Sequence, residues 1–107
     1  LEYKRYVALL TQTGGDAPTA VVLENTIGDI WLSYGGQGYY SVNSDAKFTE
    51  SKTWPIISLN VTGLGDNYSF LAYRNNENEV TIVTGIGGDQ AFDGLLNNTP
   101  IEIRVYN

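Results

Sequence analysis

The sequence predicts an all-β protein, an antiparallel β-sandwich of about eight short strands, with a jelly roll among the topologies it admits. Three observations predict it. Apolar residues recur with a period of two in segment after segment. Gly-, Asn- and Pro-containing breaks separate those segments at intervals of about 8–12 residues. No helical pattern alternates with the strands as parallel βαβ units would require. At 107 residues there is room for one hydrophobic core, so 1–107 is expected to be a single domain.

The first strand is "YKRYVALLT" (3–11), in which Tyr3, Arg5, Val7 and Leu9 share one face and Lys4, Tyr6, Ala8 and Leu10 the other. Both faces turn apolar toward its end, as in a strand entering a sandwich interior. "TQTGGDAPT" follows as a corner: Gly14 and Gly15 turn the chain, Asp16 can bond the local backbone and Pro18 stiffens the exit. "TAVVLENT" resumes as strand to Asn25, where Glu24 is placed to tie down a corner through backbone amides. "DIWLSY" and "GYYSVN" bracket Gly35-Gly36-Gln37-Gly38, a hairpin signal, because glycine reaches the positive φ that tight turns need. "AKFTESKTW" is polar, a loop or short edge strand. "PIISLNVT" is a strand in which Pro55 is tolerable only at the first position or on an edge. "NYSFLAYR" and "EVTIVTG" form a second hairpin around Asn75-Asn76-Glu77-Asn78. "GIGGDQAFDGLLNNTP" lacks alternation, and Ala91, Leu95 and Phe92 fit one helical turn that Gly94 keeps short. "IEIRVY" closes the chain with Ile101, Ile103 and Val105 inward.

Composition narrows the chemistry. Eight Tyr, three Phe and two Trp supply ample surface to bury, so disorder is not expected. There is no Cys and no His, which removes disulfides, thiolate nucleophiles, the commonest general base and the commonest metal ligand. A net charge of −6, with six scattered Lys and Arg, disfavours nucleic acid and anionic membranes as partners. No apolar run has the length of a membrane helix. With no Met in the chain, Leu1 is expected to be a processed end or the edge of an excised piece.

Catalysis finds no motif. Carboxyl pairs can always be drawn from twelve acids, a Ser or Thr nucleophile would have only Lys4, Lys47 or Lys52 as base, and neither glycine-rich run leads into a helix with Lys. The protein is expected not to be an enzyme. "TGLGDN" (62–67) and "TGIGGDQAFD" (84–93) echo each other, and Asp66, Asn67, Asp89 and Asp93 are ligand types suited to Ca2+. Their spacing is not that of an EF-hand, and turns of this composition routinely hydrogen-bond their own backbone, so no cofactor is expected. Trp31, Tyr39, Tyr40 and Trp54 are the candidate ligand-binding residues, planar faces for a sugar or a protein, although one of Tyr39 and Tyr40 must point into the core. Asn60, Asn67 and Asn97 open glycosylation triplets, expected by chance in an Asn- and Thr-rich chain.

"YKRYVALLTQTGGDAPTAVVLENTIG" (3–28) and "NTPIEIRVYN" (98–107) resemble small virion-associated proteins of tailed phages of Bacteroidetes and related environmental viruses. The matching positions are Tyr3, Tyr6, Ala8 to Gln12 and Gly14, then Ala17, Pro18 and Ala20, then Val22 to Gly28. The likeness covers about a third of the chain and has no motif tied to a reaction. It implies a β-rich structural or adhesive module of a virion, in a fibre, head decoration or appendage. Its implied partners are further copies of itself (a trimer favoured), other virion proteins, and a surface glycan or receptor read by the central segment. Tyr3 with Tyr6 and Ile56 with Ile57 are then expected between subunits. A carbohydrate-binding module, alone or attached to an enzyme, is the alternative.

Overall fold

The structure is a computed structural model and describes residues 2–58, 68–86 and 90–107. Among them nine strands form two antiparallel sheets. Sheet A has the order β2 (Thr19–Asn25), β1 (Tyr3–Thr11), β9 (Thr99–Tyr106), β5 (Thr53–Ile57). Sheet B has the order β3 (Ile30–Gly36), β4 (Tyr39–Ser44), β7 (Glu79–Ile86), β6 (Tyr68–Asn76), with the two-residue β8 (Gln90–Ala91) also on β7. Sequence-adjacent strands pair in β1–β2, β3–β4 and β6–β7. The remaining pairings among the described residues, β1–β9, β4–β7 and β5–β9, join strands distant in the sequence.

The period-two pattern sets the faces. Tyr6, Ala8 and Leu10 of β1 point inward with Ile101, Ile103 and Val105 of β9, and meet Tyr40, Val42, Val80 and Ile82 from sheet B. Phe48, in the stretch expected to be polar loop, is fully buried, and its amide is held by the Glu77 carbonyl at 3.0 Å. Pro55 lies within the edge strand β5, where the missing N–H costs no ladder bond. On that side β5 packs against β6, joining the edges of the two sheets.

The corner after β1 is architecture, organised by Gln12. Buried to 3 % exposure, its Nε2 donates to the carbonyls of Gly14 (2.8 Å) and Asp16 (3.0 Å). Its Oε1 accepts from the Gly94 amide at 2.7 Å. One side chain thus ties this corner to the segment after β8. Among the described residues Glu24 makes no backbone bond at a corner; its carboxylate pairs with Arg5 on the neighbouring strand. No helical turn forms at Ala91 and Phe92: β8 takes Ala91, and Leu96 rather than Leu95 is the buried leucine. The second half of "PIISLNVT" lies outside the described residues.

Candidate functional site

Tyr40 is a core residue. Its hydroxyl lies 2.9 Å from Gln12 Oε1 and 2.8 Å from Asp93 Oδ1. Burial first, then the Asp93 bond, pushes the phenol well above its ordinary range. The ligand-binding expectation for Tyr40 is thereby corrected: β4 has Val42 as its inward apolar anchor, and Tyr40 shares its parity. Tyr39 takes the outward position.

Asp93 is a clasp. Oδ1 accepts from the Gly38 amide (2.8 Å) and Tyr40, and Oδ2 from the Tyr34 hydroxyl (2.8 Å). Desolvation opposes its ionisation, but the Gly38 amide and the two hydroxyls prevail and hold the carboxyl below its ordinary value. Both oxygens are thus engaged by protein donors. Asp66, Asn67 and Asp89 lie outside the described residues, among which no group of three potential metal ligands occurs.

The two tryptophans stand on opposite outer faces. Trp31 (51 % exposed) lies on sheet B with Tyr39, Leu71 and Tyr73, all exposed. The register lines up Trp31, Asn43 and Glu79 in one cross-strand row, and Ser33, Ser41, Thr81 and Tyr73 in the next. A polar row therefore runs between aromatic groups. Asn43 Nδ2 donates to Ser33 Oγ (3.0 Å), and Glu79 accepts from Ser41 and from Asn75 Nδ2 (2.9 Å). The Ser41 bond is the leading cause that draws Glu79 below the usual carboxylate range. Trp31 on β3 and Tyr73 on β6 are three strand spacings apart across the sheet, about 14 Å, and two residues apart along it, about 7 Å. Beside Tyr39 a hollow of about 120 Å³ is lined by Ser69, Val83 and Gln90.

Trp54 (49 % exposed) belongs to the outer face of sheet A. There Tyr3 pairs with Tyr106, Arg5 with Arg104 and Arg104 with Trp54. The Arg104 guanidinium lies over both rings, 4.9 Å from Tyr3 and 5.0 Å from Trp54. Arg5 and Arg104, like charges side by side, are reconciled by Glu24 and Glu102 in the next row: Arg5–Glu24 at 2.6 Å, Arg104–Glu102 at 2.7 Å and Arg5–Glu102 at 3.8 Å. Beyond this lattice Val7 and Ile56 flank Glu102, and Val21, Leu9 and Pro100 lie side by side. Around these four ion-paired residues the face carries apolar side chains where a water-facing antiparallel sheet would alternate to polar. Of the four residues expected between subunits, Tyr3 and Ile56 lie on this outer face, whereas Tyr6 is buried and Ile57 packs on the core, which corrects the expectation for those two.

No family model, curated protein or solved structure matched the chain. What the two faces offer is stacking, hydrogen bonding and ion pairing. Their carboxylates are engaged, Glu24 and Glu102 by arginines and Glu79 by Ser41 and Asn75. Tyr73 and Arg104, one on each face, are not among the candidate binding residues that the sequence singles out. Strand parity alone places both outward, Tyr73 opposite the inward Ala72 and Arg104 opposite Ile103.

Proposed function

We propose that the chain is a non-catalytic structural and adhesion domain of a phage particle, in a fibre, head decoration or appendage. It assembles as a homo-oligomer, a trimer by preference, through the outer face of sheet A. One observation carries the assembly: Tyr3, Val7, Leu9, Val21, Trp54 and Ile56 share a face that an isolated sheet would present to water as polar. Its Arg–Glu lattice is charge-balanced within a chain of net charge −6, so a second copy can approach there without facing the full repulsion. The virion setting rests on the resemblance of the two ends of the chain. Light scattering at micromolar concentration is expected to give the mass of an oligomer; a monomer overturns the assembly.

Sheet B supports a second, compatible role. Trp31, Tyr39 and Tyr73 around a hydrogen-bonded polar row suit stacking against sugar rings with hydroxyls bonded between them. A glycan array and Trp31 fluorescence test it, and silence in both removes it.

A further inference from the structure

We infer that a cleft at one end of the sandwich binds a small organic anion, a molecule of about the size of one sugar residue carrying a phosphate or a carboxylate. The cleft holds about 340 Å³ and is lined by Lys4, Lys47 and Lys52, with Thr49, Tyr106 and Asn107 among its other walls. The chain has twelve acids and six cations, yet no Asp or Glu lines this cleft, and every lysine of the chain does. Positions 4, 47 and 52, scattered in the sequence, are gathered by the fold.

The arginines spend their charge elsewhere. Arg5 and Arg104 pair with Glu24 and Glu102, and Arg74 donates to the Phe48 carbonyl at 2.7 Å. Among the described residues none of the three lysines makes an ion pair. The uncompensated positive charge of an acidic protein is therefore concentrated at one concave place. Three like charges with no acidic side chain among the cleft walls repel one another, and an anion between them relieves that repulsion while a cleft wall excludes part of the screening water. Lys4 belongs to the inward face of β1, two residues before buried Tyr6, so its charge stands at the mouth between the sheets.

The loop carrying the other two is held in place. Phe48 anchors it in the core, the Lys47 amide donates to Ser44 Oγ (3.1 Å) and the Ala46 amide to Asn78 Oδ1 (2.9 Å). The Lys52 carbonyl accepts from the Tyr106 amide at 2.8 Å. Ala46 and Ser51, each preceding one of these lysines, have left-handed backbones (φ 56° and 64°), a conformation retained only where the surroundings enforce it. The lysine stems thus start from fixed points. The volume is at the small end of ligand pockets, and the Val105 and Tyr106 walls suit the apolar side of a ring.

The test is an amide NMR titration of the chain with glucose 6-phosphate and with glucuronate. Glucose and inorganic phosphate serve as single-feature controls, and the series is run at low and physiological salt. Both organic anions are expected to give saturable shifts centred on Lys47, Thr49 and Lys52, weaker in salt. Lys4→Gln, Lys47→Gln and Lys52→Gln should each weaken binding about two- to fivefold, the scale of an exposed ion pair. Thr49→Val should weaken it with no change of charge, which general electrostatic attraction would not do. The inference fails if glucose moves the same amides equally, if inorganic phosphate binds as tightly as the sugar phosphate, or if shifts are unsaturable and spread over the surface.

Discussion

Gln12 and Asp93 show how much of this fold depends on polar side chains that face inward. Gln12 spans two loops and Tyr40; Asp93 joins β3, β4 and the loop after β8. Truncating one partner leaves the others unsatisfied, so Asp93→Ala and Gln12→Ala should each cost about 1–3 kcal/mol in urea unfolding. The acid dependence has a definite sign. Asp93 and Glu79 are held below their ordinary values, so the unfolded chain takes up protons first. Their contribution is complete above the ordinary carboxylate range near pH 4 and is lost as pH falls through the folded values. Urea midpoints measured downward from neutral pH should decline there, and the Asp93→Asn, Glu79→Gln double variant should decline less steeply. Little of this was legible in the sequence. "TQTGGDAPT" reads as a corner, but its glutamine reaches a residue 82 positions away, and no local pattern encodes such a contact. The phase of β4 was legible, because Val42 fixes the parity that buries Tyr40.

At the scale of elements, alternation located the long strands and both central hairpins, and it failed where an element is too short to have a period. β8 is two residues long. It exists because Gly85 and Gly38 let backbones close on each other. A Cβ at Gly38 would stand 2.6 Å from the Thr84 carbonyl oxygen and 2.7 Å from the Phe92 nitrogen, and the backbone there has φ +74°. Gly14 is also left-handed (φ +57°) but faces open space. Gly38→Ala should therefore cost clearly more than Gly14→Ala, which carries only the left-handed penalty of about 1–2 kcal/mol. Thermal unfolding of the two variants makes the comparison, and hydrogen exchange should show early loss of protection at the Phe92 amide in the first alone. Burial of Phe48 is not legible in the sequence for a related reason: a single buried aromatic in a polar loop has no periodicity to betray it.

At the scale of the molecule, a sandwich needs only its two inner faces apolar, and this one also gathers apolar side chains around an ion-paired lattice on the outer face of sheet A. The sequence held that signal in Tyr3, Val7 and Leu9 opposite Tyr6, Ala8 and Leu10, but which set is core depends on partner strands that only the fold reveals. Replacing an apolar side chain of that face by a long charged one should oppose association and leave the fold intact. Val7→Lys is expected to weaken self-association at least tenfold, about 1.5 kcal/mol, with an unfolding midpoint unchanged in protein dilute enough to be monomeric. The most direct test places the reporter on the face itself. With Trp31→Phe, Trp54 becomes the sole tryptophan, and its quenching by acrylamide can be followed from dilute to concentrated protein. Trp54 should become protected and blue-shifted as the oligomer forms, and should stay accessible in Val7→Lys. An oligomer that forms while Trp54 remains as open to quencher as in the dilute chain would contradict the account.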